Sequence, residues 1–285
     1  MGRSGTPVAS WFMNEADLLI VFGASFSKHT GITPKKPIIQ IDFDPLALSK
    51  FHQVEVAVWG EISRTLELLN ENLREDEIQT EDQRNEIAER WSIWRAEKQK
   101  RLLETSSKGV SSIKIFDSMT KYAPKNAVMC VDVGNNAYSF GRYFESSEQD
   151  FIMSGYLGSI GFALPAAIGA WAAVKDSRPV IAVSGDGGIC QYLSEITTLV
   201  KYNMPIKLII INNSELGKIS KEQRAGSFDV WQTTLVNPDF ASFASSCGAW
   251  GKQVCNNDDV DAAMQELYAQ KGPAILEIVA DVRLI

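Results

Sequence analysis

Residues 179–217 constrain the fold more than any other stretch. PVIAVSGDGGICQYLSEITTLVKYNMPIKLIIINNSELG sets two β-branched runs, Val180–Ser184 and Ile206–Ile211, around a helical pattern from about Ile189 to Tyr202. Strand, helix and strand within roughly thirty residues make a βαβ unit, so the sheet is expected to be parallel. Gly185-Asp186-Gly187-Gly188 follows the first strand and Asn212-Asn213 ends the second. Open α/β sheets bind ligands at the carboxyl ends of their strands, so a carboxylate and carboxamides are expected to face one crevice. Glycines beside Asp186 allow close backbone approach to a ligand. An anion next to a hard cation suits such a place, because Mg²⁺ takes oxygen ligands and keeps few protein groups beside substrate phosphates. A dinucleotide fingerprint does not fit, since Cys190 stands where G-x-G-x-x-G needs glycine, and no G-K-[ST] follows.

Gly185-Asp186-Gly187, followed after a helix and a strand by Asn212-Asn213, resembles the signature of thiamine diphosphate enzymes. The resemblance implies Mg²⁺ held by Asp186, the Asn213 side chain and the backbone carbonyl of Glu215, with the diphosphate against Gly185, Gly187 and Gly188. Gly134-Asn135-Asn136 closes an expected strand at Ala127–Val133 and is similar to a turn that meets the diphosphate in related enzymes. Gly155, Gly158 and Gly161 lead into an apolar helix, Phe162–Val174. By the same resemblance Gly158 and Ser159 approach the cofactor, and Ile160 props it into a bent shape. The run Lys218-Ile219-Ser220-Lys221-Glu222-Gln223 is similar to one in pyruvate oxidases. Glu222 is then a candidate catalytic carboxylate, provided that burial raises its pKa.

Length and charge set the bounds. A chain of 285 residues suggests two domains, and 45% hydrophobic residues with 22% charged residues is ordinary globular composition. A net charge of −7 argues against a nucleic-acid surface. No apolar run approaches membrane-spanning length and no signal peptide is recognisable, so the cytoplasm is the expected location. Cys130, Cys190, Cys247 and Cys255 lack C-x-x-C spacing, which speaks against zinc or a disulfide framework.

Three regions are expected. Residues 1–73, with strands at Ala16–Gly23, Pro37–Phe43 and Val54–Trp59 and a helix at Ile62–Leu73, resemble part of the Rossmann-like central domain of pyruvate oxidases and acetolactate synthases. Ile41–Pro45 matches a strand end that meets FAD in flavin-dependent members. Asp42 or Asp44 facing a ribose hydroxyl stands against the alternative of a strand closed by a turn. Residues 74–112 read as a charged helical connector ending in the loose Thr105–Ser112 run. Residues 113–285 read as a doubly wound, parallel-sheet diphosphate-binding domain, with helices at Ile113–Tyr122, Phe240–Cys247 and Val260–Gln270 and strands at Trp250–Val254 and Ala274–Val279.

The resemblance also implies a pyrimidine-binding domain whose glutamate activates the cofactor, and no motif here matches it. That domain is expected in another chain or an upstream segment, within a homo-oligomer. The activity implied is decarboxylation of a 2-oxo acid such as pyruvate. Three readings stay open: a flavin-dependent oxidase, an acetolactate-synthase-like carboligase, and a non-catalytic cofactor-binding subunit.

Overall fold

The computed structural model describes residues 5–24, 31–32, 36–73, 81–104, 108–155 and 157–281. Residues 74–80 and 105–107 of the expected connector, and Tyr156 in the glycine-spaced loop, lie outside the described residues. The chain divides into two compact units, Met1–Glu97 and Lys98–Ile285. Both are α/β with parallel sheets.

The first unit opens with α1 (Pro7–Glu15), which sequence periodicity did not reveal. Thr6 caps it through Ala9 N–H, and Pro7 occupies the first turn, where a missing N–H costs nothing. Strands β1 (Leu19–Phe22), β2 (Ile38–Asp42) and β3 (Val56–Trp59) pair in that order, all parallel. Helix α2 (Ile62–Asn72) follows, with Glu61 accepting from Arg64 N–H at its start. Met13, Ile32 and Ile38 form the small core. Asp42 Oδ1 accepts the Asp44 N–H (2.9 Å) and Asp44 Oδ1 accepts the Leu46 N–H (2.9 Å). Both carboxylates therefore build successive Asx turns at the end of β2.

The charged segment contains α3 (Arg84–Leu102). Its last residues belong to the second unit, where buried Lys98 meets Asp117 (3.2 Å) and Glu145 (3.4 Å). That unit continues through α4 (Ser112–Tyr122), β4 (Val128–Val131), α5 (Asn135–Tyr143), β5 (Asp150–Met153), α6 (Ala163–Val174) and β6 (Val180–Gly185). Then come α7 (Asp186–Ile189), α8 (Glu195–Lys201), β7 (Lys207–Asn212), α9 (Gly217–Ala225), α10 (Phe240–Ser246), β8 (Trp250–Val254), α11 (Asn257–Ala269) and β9 (Ala274–Val279). The sheet order is β5-β4-β6-β7-β9-β8, every neighbouring pair parallel.

Successive residues of a strand face opposite sides, and here both sides are covered. Val128, Cys130, Val180, Ala182, Leu208 and Ile210 join one core with Leu164 of α6, Leu199 of α8 and Phe240 of α10. Their alternates Met129, Val131, Ile181, Val183 and Ile209 are buried as well. The chain leaves β4 for β5 on one side and later returns as β6 on the other. The strand order therefore reverses between β4 and β6, the place where such sheets open a crevice.

The structure differs from the sequence reading in two places that matter. The helix expected from Ile189 to Tyr202 is two short helices, α7 and α8, separated by a turn. Through that turn the chain makes i→i−3 bonds, Gln191 N–H to Gly188 O (3.2 Å) and Tyr192 N–H to Ile189 O (2.9 Å). Tyr192 is drawn against Gly161, where a Cβ would stand 2.7 Å from its ring. The second difference is β5, an edge strand absent from the sequence reading, together with α5 before it. Phe140 of α5 and Phe144 at its C-terminal cap stack (centroids 4.8 Å apart), and Phe151 of β5 packs edge-on against Phe140 (5.4 Å).

Candidate cofactor site

Asp186 is the first residue after β6 and is buried. Register pairs Gly185 with Ile211, so the carboxyl ends of β6 and β7 lie side by side. Burial raises the Asp186 pKa above the ordinary carboxylate value, opposed by hydrogen bonds from Asn237 and from the backbone of Gly187 and Ser214. Asn237 Nδ2–H donates to Asp186 Oδ2 at 2.7 Å.

The two asparagines ending β7 do different things. Asn212 is buried and donates from Nδ2 to Glu277 Oε1 (2.7 Å). Asn213 is half-buried, and its Oδ1 accepts the Glu215 N–H (3.0 Å). A carboxamide oxygen has two lone pairs, so Oδ1 retains one for a ligand. Between Asn213 and Glu215, Ser214 adopts φ +55°, a left-handed conformation unusual for a residue with a side chain. Cross-bonds hold it there: Leu216 N–H to Thr233 O (2.7 Å) and Leu235 N–H to Ser214 O (2.8 Å). The Glu215 carboxylate pairs with Arg224 (3.2 Å), and its backbone carbonyl accepts the Gly217 N–H (2.8 Å) with one lone pair remaining.

Gly134 (φ +95°) caps α5, and Asn135 and Asn136 form its first turn rather than a free turn. Asn136 donates from Nδ2 to Asp132 O (3.1 Å). Its Oδ1 lies 3.4 Å from where a Gly134 Cβ would be and 3.5 Å from the equivalent point on Gly185. These residues thus meet across the mouth of the β4–β6 reversal. Gly188 is required by packing, since a Cβ there would stand 2.4 Å from buried Asp132 Oδ2, whereas one on Gly187 would meet only the flexible tip of Leu216 (2.8 Å from Cδ2). Gly158 (φ +65°) faces open space, Ser159 is exposed, and Ile160 is 41% exposed. The tip of Ile160 lies 3.8 Å from the Gly187 Cβ position. Ile160 therefore lies outside the core, at the rim beside Gly187.

Glu222, the candidate catalytic carboxylate, is exposed on α9 and ion-pairs with Lys218 one turn away.

Asp132 was not singled out in the sequence. It is buried, and burial raises its pKa against hydrogen bonds from Ser184 and from the backbone of Val133 and Gly161. Ser184 Oγ–H donates to it at 2.9 Å and Gly161 N–H at 3.0 Å. It fastens the loop carrying Ile160 to the ends of β4 and β6. The signal available was one carboxylate at a strand end just before Val133-Gly134, which reads equally as an ordinary turn.

Residues 132–278 match the model of the thiamine pyrophosphate enzyme C-terminal TPP binding domain, and residues 1–69 that of the thiamine pyrophosphate enzyme central domain. The chain belongs to the thiamine pyrophosphate enzyme family. Among its relatives, a putative thiamine pyrophosphate-containing protein YdaP of Bacillus subtilis (strain 168) is 33% identical over 283 residues, covering 98% of this chain and 48% of that protein. The acetolactate synthase isozyme 2 large subunit of Escherichia coli (strain K12) is 27% identical over 289 residues, covering 99% of this chain and 51% of the relative. The acetolactate synthase large subunit of Haemophilus influenzae is 29% identical over 290 residues, covering 96% and 49% respectively. The chain thus spans about half the length of the curated relatives it matches. The Asp186 carboxylate just after β6 and the Asn213 carboxamide oxygen just after β7 are both oxygens, of the type hard cations take. Among the described residues no helix is long and apolar enough to cross a membrane.

Proposed function

We propose that this chain is the thiamine diphosphate- and Mg²⁺-binding portion of an enzyme that decarboxylates a 2-oxo acid such as pyruvate. The observation that carries the reading is buried Asp186 at the end of β6, next to the Asn213–Glu215 turn at the end of β7. A buried carboxylate without a counter-ion is costly, and a hard cation offsets that cost. Mg²⁺ would take Asp186, Asn213 Oδ1 and the Glu215 carbonyl, with the remaining ligands supplied by diphosphate and water. The cofactor, when bound, supplies the carbon that adds to the 2-oxo acid and takes up the electron pair released with CO₂. This chain's residues bind and orient. Gly134 and Gly185 leave room at the mouth, Asn135 and Asn136 line it, and Ile160 offers an apolar prop at its rim.

Leu157 (80% exposed) leaves apolar surface on the loop that carries Ile160, and Trp231 (72%) and Val236 (103%) do so on the segment whose Thr233 and Leu235 bond the 214–216 turn. Such a surface suits docking of a pyrimidine-binding domain from a second chain or another segment, within an oligomer. The relatives named acetolactate synthases favour a carboligase that joins the product to a second 2-oxo acid. The Lys218–Gln223 run favours a flavin-dependent oxidase instead. A flavin absorbance band and its bleaching by pyruvate separate the two.

The binding test is calorimetric titration of thiamine diphosphate with and without Mg²⁺. Binding should require Mg²⁺ and vanish in Asp186→Ala. Equal affinity in both proteins would refute the assignment.

A further inference from the structure

We propose that Asn237 is a positioning residue for the Asp186 carboxylate, oriented from β9 through a chain of side chains, Glu277 to Asn212 to Asn237. The inference rests on reading Asp186 as the cation ligand and adds residues that the GDG and NN motifs do not contain.

The chain starts at Glu277 in β9, which is buried and accepts from Asn212 Nδ2 (2.7 Å) and Ala241 N–H (3.2 Å). Both Glu277 oxygens accept, so the NH₂ end of Asn212 faces it. The oxygen end of Asn212 is thereby turned the other way, where it accepts the Ser214 N–H (3.2 Å) and Asn237 Nδ2 (2.9 Å). The same Nδ2 of Asn237 donates to Asp186 Oδ2 (2.7 Å). Both of its N–H groups are then used, one on each oxygen. Rotating the Asn237 amide by half a turn would set its Oδ1 against two acceptor oxygens, so the orientation is determined at every link.

The consequence falls on Asp186. With Oδ2 held by Asn237, and with backbone N–H groups of Gly187 and Ser214 also bonding the carboxylate, Asp186 cannot rotate freely before it meets a cation. Partners of ligands that fix their orientation typically alter metal affinity by about 10- to 100-fold when removed. Asn212, the first asparagine of the pair, thus works as a relay while Asn213 supplies the ligand atom.

The test uses the full chain with thiamine diphosphate and Mn²⁺ in place of Mg²⁺, with free Mn²⁺ counted by electron paramagnetic resonance. Asn237→Ala should weaken Mn²⁺ binding by about tenfold or more. Its metal-free melting curve should stay cooperative, and thiamine diphosphate binding should return as Mn²⁺ is raised. If Asn237→Ala does not fold, Asn237→Ser takes its place, since a hydroxyl cannot reach both oxygens, and the same weakening is expected. Mn²⁺ affinity unchanged to within about twofold in a folded variant overturns the inference while leaving Asp186 as ligand. Cofactor binding that excess Mn²⁺ fails to restore overturns it too, because Asn237 would then be structural only. A wild-type chain that binds no Mn²⁺ removes the Asp186 reading, and this inference with it.

Discussion

The two parallel sheets differ in how they are covered. In the second unit β6 is buried from Val180 to Ser184 and β7 along its whole length. In the first unit β1 alternates half-buried and exposed, and β3 is exposed at three of its four residues. The strand sequences are similarly apolar, LIVF and VAVW against VIAVSG and KLIIIN. Apolar sequence forms the ladder in both cases, but only helices on both faces turn it into a core. Among the described residues, Ile20, Phe22, Val56 and Trp59 therefore remain exposed on a kind of sheet that is ordinarily covered on both faces.

The contrast yields graded predictions. Ile209→Ala, in the buried centre of β7, should destabilise the second unit by about 3–4 kcal/mol. Ile20→Ala, 53% exposed on β1, should cost under ~1 kcal/mol. Urea unfolding followed by circular dichroism measures both, and equal losses would erase the distinction between the sheets.

Buried Lys207 sharpens it further. Its ammonium donates to Gly272 O (2.7 Å), and burial lowers its pKa from 10.5 to about 8. The unfolded chain then binds more protons than the folded one between about pH 8 and 10.5, so stability should rise across that window. A displacement of that size corresponds to ~3 kcal/mol. Lys207→Met should flatten the rise, and stability that falls over the same range would contradict the burial argument.

Smaller effects are expected at helix ends and on the surface. Asp239 accepts the Ser242 N–H (2.8 Å) at the start of α10, and Asp239→Ala should cost about 1 kcal/mol by thermal melting. Arg64 and Glu67 on α2 pair at 2.8 Å but are each 61% exposed. Arg64→Ala should move stability by no more than ~0.5 kcal/mol. A larger loss there would mean that the first unit depends on surface charge more than its sheet suggests.

Long apolar runs made the parallel sheets legible, since β-branched stretches such as KLIIIN leave little alternative to a buried strand. The strand β5 was not legible, because DFIM is short, exposed along its length and held by rings that lie distant in sequence, from Phe140 to Phe151. The break between α7 and α8 was hidden for a similar reason. Local periodicity continues through Cys190–Ser194, and only the contact of Tyr192 with Gly161 shows why the chain turns.

By itself the sequence determined the class of fold and the neighbourhood of Asp186 and Asn213. A βαβ unit puts its two strand ends side by side whatever the rest of the chain does. Only the tertiary structure decided which groups complete that neighbourhood. Asn237 lies 24 residues beyond Asn213 and reads locally as a turn before a helix, yet it reaches Asp186. Asp132 precedes Gly161 by 29 residues and holds its N–H. Glu222, which looked catalytic by its place in a run of residues, points to Lys218 at the surface. Periodicity and motif spacing report what happens along one element. Burial, amide orientation and the contact of a side chain with a distant glycine arise only when separate elements meet.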